Sequence, residues 1–98
     1  MWIDSLLLEL GDVLRERPDF KSAALSVLAA HDREHSTAYL PTLRAFAQAC
    51  WDIGETARSL AMHPNSVRYR LRRLEEISGL ALDDPRQRLL LSLQLLTS

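Results

Sequence analysis

The sequence predicts an all-α fold, a bundle of five to six helices that contains a helix-turn-helix. Apolar residues recur every three or four positions in several segments, which is the spacing of one helix face. No segment shows the alternation of apolar and polar residues that is typical of a half-buried strand. Several prolines and glycines fall at the boundaries of the periodic segments, where helices begin and end: Pro18, Gly54, Pro64, Gly79 and Pro85. These three observations favour a helical bundle.

Length and composition predict one soluble domain over residues 1–98. The chain is 47% apolar and has no apolar run long enough to cross a membrane. A chain of this size supports one hydrophobic core and is too short for two. Cys50 is the only cysteine, so no disulfide can form within the chain. No secretory or transit segment precedes the first amphipathic helix, and the cytoplasm is therefore the expected location.

The first three helices are predicted from apolar spacing and from boundary residues. Residues 3–14 form the first helix, which Pro18 ends, and Asp19 is expected to cap the second. A cap around Ser36 and Thr37 begins the third. The residues expected to face the core in the second and third helices are Ala24, Leu25, Leu28, Tyr39, Leu40, Leu43, Phe46, Ala47 and Cys50.

Two short helices form the predicted helix-turn-helix over residues 54–78. Gly54 is a tolerable N-cap for the first of them, residues 55–61. His63 and Pro64 begin the second, because proline is favoured at the first helical position. A connection of only two residues excludes an antiparallel pair and favours a crossing of roughly 90–120°.

Two more boundaries complete the helical pattern. Gly79 ends the second helix of the motif, since glycine is the usual residue after a helix C-terminus. Asp84 followed by Pro85 is the clearest start signal in the chain, and it begins a C-terminal packing helix over residues 85–97. This last helix is strongly apolar.

Positive charge is concentrated in one part of the chain, although the formal net charge is −1. Residues 37–73 contain six arginines and two acidic residues. Acidic residues outnumber basic ones by three in residues 1–36 and by two in residues 74–98. The distribution of charge decides the choice of partner more than its sum does, so residues 37–73 are a candidate surface for an anionic partner.

The stretch NSVRYRLRRLEE, residues 65–76, places its arginines before its glutamates. A helix dipole favours the opposite order by a few tenths of a kcal/mol, so this order does not serve helix stability. At about 100° per residue, four residues share one stripe and are expected to be buried. They are Val67, Leu71, Leu74 and Ser78.

The outer face of the same helix carries side chains that suit DNA. Arginine binds guanine in bidentate fashion, asparagine pairs with adenine, and serine or tyrosine hydroxyls reach phosphate oxygens. We expect residues 64–78 to be a recognition helix in the major groove of double-stranded DNA. Asn65 and Arg68 should reach bases, Arg72 and Arg73 should hold phosphates, and Arg70 should contact the duplex backbone or an acidic residue of its own domain. The candidate DNA-binding residues are His63, Asn65, Ser66, Arg68, Tyr69, Arg70, Arg72 and Arg73.

Residues 42–95 closely resemble the C-terminal helix-turn-helix domain of the PucR/CdaR family of bacterial transcriptional regulators. The resemblance extends upstream through residues 31–35 and, more weakly, to the first helix. The most specific element is H-x-N-[ST]-V-R-Y-R-L-R-R, from His63 to Arg73, followed by Gly79 and the Asp-Asp-Pro cluster at residues 83–85. The resemblance implies a DNA-binding module that a sensory region ordinarily precedes. Because one recognition helix covers few base pairs, we expect a homodimer or larger homo-oligomer in the parent regulator. Four residues depart from the family pattern. Ser66 replaces the commoner threonine, Trp51 and Asp52 replace glycine and asparagine, and His31 replaces the usual tyrosine.

Two rival interpretations belong to other functional classes. Residues 31–35, HDREH, match the H-x-x-E-H pattern of inverted zinc proteases, but a third ligand and a substrate cleft are missing, so a polar loop is expected there. No metal, cofactor or catalytic residue is predicted. The alternative to DNA binding is a helical module for protein interaction or dimerisation, in which residues 89–96 dock a partner and the arginines serve an acidic protein surface. Binding to arbitrary duplex DNA that weakens steeply with salt favours the first function.

Overall fold

The computed structural model describes residues 18–97, which form five helices. They are α1 (Pro18–His35), α2 (Tyr39–Gln48), α3 (Ile53–Leu60), α4 (Pro64–Ser78) and α5 (Pro85–Thr97). No strand occurs among these residues, and the all-α prediction is confirmed. The helix predicted at residues 3–14, with its end at Pro18, lies outside the described part of the chain. Asp19 lies inside α1, so its assignment as an N-cap was wrong.

The core is built around one fully buried leucine from each of the four longer helices. Leu28 of α1, Leu43 of α2, Leu74 of α4 and Leu91 of α5 each have 0% of their surface exposed. The short helix α3 adds Ala57 to the same core. Because α1, α2 and α3 all pack against α4, that helix is fixed on three sides and presents its remaining face outward.

The connection between α1 and α2 is held by the carboxylate of Asp32. It accepts hydrogen bonds from the backbone N–H groups of Tyr39 and Leu40, each at 2.9 Å, and from the hydroxyl of Thr37 at 2.5 Å. Asp32 therefore caps α2 from seven and eight residues upstream, and the predicted local cap around Ser36 and Thr37 was wrong. The residues HDREH form the end of α1 and are not a loop.

Left-handed backbone at Cys50 and Trp51, with φ of 54° and 65°, separates α2 from α3. The predicted inward position of Cys50 was wrong, because this conformation turns the chain out of the helix and leaves the residue exposed. Asp52 caps α3, and its Oδ2 accepts from the N–H of Glu55 at 2.7 Å. The assignment of Gly54 as the cap was wrong, since Asp52 supplies the side-chain oxygen that glycine lacks.

The turn between α3 and α4 is also left-handed, at Ala61 with φ 54° and ψ 47°. The N–H of Met62 donates to the carbonyl of Ala57 at 2.9 Å, which closes α3 in the manner of a Schellman motif. Pro64 then takes the first helical position, and the Nδ1 atom of His63 accepts from the N–H of Asn65 at 3.0 Å. The predicted start of α4 is confirmed.

Glycine at position 61 should stabilise the domain. A side chain in the left-handed region costs on the order of 1 kcal/mol that glycine does not incur, so Ala61→Gly should raise the free energy of unfolding by about 0.5–1 kcal/mol. Ala23 is an exposed alanine inside α1, and there glycine should lower the same quantity by about 0.5–1 kcal/mol. Urea denaturation of both variants checks this pair. A loss of stability in Ala61→Gly would contradict the argument.

Side chains from both neighbouring helices fix the segment between α4 and α5. Helix α4 ends at Ser78, and Gly79 follows as its C-cap, so the predicted end near Gly79 is confirmed. Gly79 is in the left-handed conformation, with φ 78°. The Oε2 atom of Glu75 accepts from the N–H of Leu82 at 2.9 Å, and the Nε atom of Arg88 donates to the Leu82 carbonyl. The predicted start of the last helix at Pro85 is confirmed. Most of its described leucines, Leu90, Leu91 and Leu95, are buried within the domain.

Candidate nucleic-acid interface

Helix α4 separates its core face from its outer face as its sequence predicts. Val67, Leu71 and Leu74 are buried, with at most 6% of their surface exposed, and Ser78 is half-buried. Five of the predicted site residues are exposed on the other side. They are Asn65, Ser66, Arg68, Tyr69 and Arg72.

Asn65 and Arg68 contact each other on the first turn of α4. The Nη1 atom of Arg68 donates to the Oδ1 atom of Asn65 at 2.7 Å, and both side chains are exposed. This bond uses one of the five N–H donors of the guanidinium and leaves the amide NH₂ of Asn65 available. The two side chains are therefore oriented together before any ligand arrives.

Arg70 lies on the flank of α4 and is half-buried. Its Nη1 atom donates to the hydroxyl of Thr42 in α2 at 3.3 Å. The partner predicted from the sequence is the duplex backbone or an acidic residue, whereas the partner within the domain is a neutral hydroxyl. The positive charge of Arg70 is therefore not neutralised by a carboxylate among the described side chains.

Arg72 and Arg73 differ in their partners although they are neighbours. Arg73 forms an ion pair with Glu76, with 2.6 Å between Nη1 and Oε2. This hydrogen bond, assisted by the hydroxyl of Tyr39, raises the pKa of Arg73, whose guanidinium was already charged at all accessible pH values. Arg72 is exposed and pairs with no carboxylate among the described side chains.

A groove runs along the flank of α4 beside the segment that joins α1 to α2. We call it the flank groove; it has a volume of about 770 Å³. Its lining includes Ser36 and Thr37 on one side and His63, Ser66, Tyr69 and Arg70 on the other. The four residues of the second wall are among the candidates predicted from the sequence. The first wall was not predicted, because no local pattern indicates that residues 36 and 37 approach α4.

Residues 31–35, which match the H-x-x-E-H pattern, do not form a metal site. His31 and His35 lie at the end of α1 with ring centroids 4.5 Å apart, and His31 bonds to the hydroxyl of Thr37. Within residues 18–97, no cluster of three or more His, Cys, Asp or Glu side chains is placed to hold a metal ion. Nor does any helix in this part of the chain have the length and apolar character needed to span a membrane.

The protein family of this domain follows from its match to a known family model. The family model of the PucR C-terminal helix-turn-helix domain matches residues 39–97, from the start of α2 to the end of α5. The chain belongs to this family. The match includes every helix that packs against α4 except α1. The PucR family is a class of DNA-binding regulator domains and not of enzymes.

Curated relatives of this PucR-type domain include two regulators from Bacillus subtilis. The purine catabolism regulatory protein is 39% identical over 83 residues, which are 81% of this chain and 15% of the relative. The DNA-binding transcriptional activator AdeR is 30% identical over 80 residues, 79% of this chain and 19% of the relative. An uncharacterized protein in the pkwA 5' region of Thermomonospora curvata is 40% identical over 83 residues, 80% of this chain and 44% of that protein. The chain thus spans less than half the length of each, and no solved structure matches it.

Proposed function

We propose that this chain binds double-stranded DNA in a sequence-specific manner, as the output domain of a bacterial transcriptional regulator. The observation that carries the proposal is the outer face of α4, where Arg68 and Arg72 have no carboxylate partner among the described side chains and lie beside exposed Asn65 and Ser66. Arg70, on the flank of the same helix, also lacks a carboxylate partner among these side chains. A helix held from behind by three others can enter the major groove, which is about as wide as an α-helix with its side chains. Chromosomal DNA as the target also means action in the cytoplasm.

The position of each side chain along α4 supports a division of roles. The N-terminal residues of a recognition helix reach deepest into the groove, so Asn65 and Arg68 read base edges. Ser66 and Tyr69 carry exposed hydroxyls that reach sugar or phosphate, and Arg72 lies farther along the helix, where it holds phosphate. The His63 ring accepts at Nδ1, so its neutral form carries the proton on Nε2, which is a further donor for a phosphate.

The relatives support the regulatory half of the proposal. One is named a regulatory protein and another a DNA-binding transcriptional activator, and the chain matches a minor part of each. By analogy with these relatives, this chain acts as one helical domain within a longer regulator. One recognition helix covers few base pairs, so useful affinity requires two copies that read half-sites about one helical turn apart, as in other dimeric helix-turn-helix proteins.

Selection of bound duplexes from a random pool tests the function. The expected result is enrichment of a short sequence, with a second copy about 10 base pairs away when two chains are held together. The interaction module without DNA binding is the alternative, and it would give no enrichment and no salt-dependent binding. The burial of Leu90, Leu91 and Leu95 weakens that alternative, because most of the apolar surface it needs is used inside the domain.

Arg72→Ala should weaken binding to every duplex about equally. If Arg72 neutralises one phosphate, its loss should lower the slope of log K against log salt by about 0.9. Arg73→Ala should change the slope by less, since Glu76 already occupies that guanidinium. Fluorescence anisotropy between 50 and 200 mM salt, about the range over which such slopes are read, measures both.

Glu76→Gln provides the matched control for the two arginine variants. It releases Arg73 from its ion pair, so binding should become tighter and the salt slope steeper. Equal slope changes from Arg72→Ala and Arg73→Ala, with no effect of Glu76→Gln, would show that the Arg73–Glu76 pair does not compete with DNA.

A further inference from the structure

We infer that the flank groove is a second DNA contact, in which the segment joining α1 to α2 receives the sugar-phosphate backbone of one strand. The inference rests on the proposed function, and it adds residues 36 and 37, which lie outside the helix-turn-helix. Its ligand is a DNA phosphate with its adjoining sugar.

The width of the major groove gives the first reason. The groove is about 12 Å wide, and an α-helix with its side chains is about 10–12 Å across. A helix that fills the groove therefore brings the two phosphate backbones against its two flanks. The flank groove lies along one of these flanks, and it shares Ser66 and Tyr69 with the outer face of α4.

The chemistry of the lining gives the second reason. Arg70 is a cation whose partner within the domain is only the hydroxyl of Thr42, so its charge remains available to a phosphate. Ser36 and Ser66 are exposed hydroxyls, and Tyr69 has 59% of its surface exposed. Among the described residues, no aspartate or glutamate lines this groove. A cation surrounded by hydroxyl donors suits phosphate oxygens.

The opposite flank of α4 offers a contrast. A smaller groove of about 340 Å³ lies there, lined by Arg68, Arg72 and Arg88 but also by Glu75 and Asp83. Two carboxylates in the lining oppose a phosphate, so this second groove is a poorer anion site than the flank groove.

The wall of the flank groove that Ser36 and Thr37 form is held in place before DNA binds. Thr37 donates to Asp32, and the same carboxylate also binds the N–H groups of Tyr39 and Leu40. Asp32 does not line the groove, and its charge is spread over three hydrogen bonds. Because the segment is fixed to α1, contact with a phosphate requires little loss of conformational entropy.

A pair of substitutions at Ser36 isolates the effect of charge. Ser36 has φ 55°, a left-handed conformation that asparagine and aspartate adopt more readily than most residues. Ser36→Asn and Ser36→Asp therefore match in shape and backbone preference and differ by one charge. Ser36→Asp should bind a mixed-sequence duplex about fivefold more weakly than Ser36→Asn, as expected for unit charges about 4 Å apart in water.

Two controls accompany this pair. Ser26 is exposed in α1 ten residues before Ser36, on the order of 15 Å away along the helix axis, and Ser26→Asp should leave affinity almost unchanged. Arg70→Gln removes charge from the other wall and should lower the salt slope by about 0.9. Thermal unfolding establishes that each variant is folded.

Amide NMR signals give a readout that does not depend on substitutions. During titration of the unmodified chain with duplex DNA, the signals of residues 36–38 should shift with the same midpoint as those of α4. Equal affinities of Ser36→Asp and Ser36→Asn, while Arg68→Ala still weakens binding, would overturn the flank-groove contact and leave the proposed function intact. Signals that respond to inorganic phosphate but not to DNA would overturn it as well. A chain that binds no duplex at low salt would remove both proposals.

Discussion

Replacing Leu74 with alanine should lower the free energy of unfolding by about 2–5 kcal/mol, which makes it the most damaging single change that we expect in α4. Leu74 is fully buried and sits where α4 meets the shared core. The loss combines the transfer free energy of the removed methyl and methylene groups with the cavity that they leave. A domain of this size has only about 5–15 kcal/mol in total, so the variant should be partly unfolded at moderate temperature.

Val27→Ala is the comparison for this prediction. Val27 has 45% of its surface exposed on α1, and its truncation should cost about 0.5 kcal/mol or less. Urea denaturation followed by circular dichroism measures both variants. If Leu74→Ala were no more destabilising than Val27→Ala, α4 would not be anchored by the core as described, and its fixed presentation to DNA would lose its basis.

Arg68→Ala should cost about 1–3 kcal/mol of binding free energy on the preferred DNA site and relax the preference at one base position. Arg68 is exposed in the first half of α4 and is oriented by the Oδ1 atom of Asn65 at 2.7 Å. An arginine that donates two hydrogen bonds to one base edge discriminates between bases, and removal of its guanidinium leaves that base edge without a partner. Arg68→Lys should also lose discrimination between bases, because lysine keeps the charge but lacks the paired N–H donors of the planar guanidinium.

Because Asn65 and Arg68 contact each other, we expect their effects on binding free energy to be non-additive. The double variant should lose less binding free energy than the sum of the two single variants, since each residue orients the other. Competition binding on a library of single-base variants, at two salt concentrations, measures these effects. Arg44→Ala removes an exposed arginine from α2 and serves as the control for loss of charge alone. Losses from Arg68→Ala that were independent of DNA sequence would show that α4 supplies charge without reading bases.

Local signals made the helix boundaries near α4 predictable. His63 before Pro64, Gly79 and Asp84 before Pro85 each act within a few residues, and the structure has helix boundaries at all three places. The buried stripe followed in the same way from helical geometry, because Val67, Leu71 and Leu74 repeat at the spacing of one face.

The features that sequence reasoning missed depend on contacts between distant residues or on unusual backbone. Asp32 caps α2 across seven and eight residues, and Arg70 reaches Thr42 across 28 positions, so neither appears in a local pattern. Left-handed turns at Cys50 and Ala61 occur without glycine, the residue that ordinarily marks them. The wall of the flank groove at residues 36 and 37 was missed because it, too, depends on contacts between residues that are distant in the sequence.

On the proposed function, one face of α4 recognises DNA and the opposite face keeps the domain folded. The core contacts come from Val67, Leu71 and Leu74, whereas Asn65, Arg68 and Arg72 make no contribution to the buried core. Exposed substitutions away from caps and buried networks usually change stability by less than about 0.5 kcal/mol. A new operator preference can therefore arise by single substitutions on the outer face, without a compensating change elsewhere in the chain. The same architecture makes the helix suitable for reprogramming, since a library randomised at these three positions would sample DNA specificities while nearly every member folds.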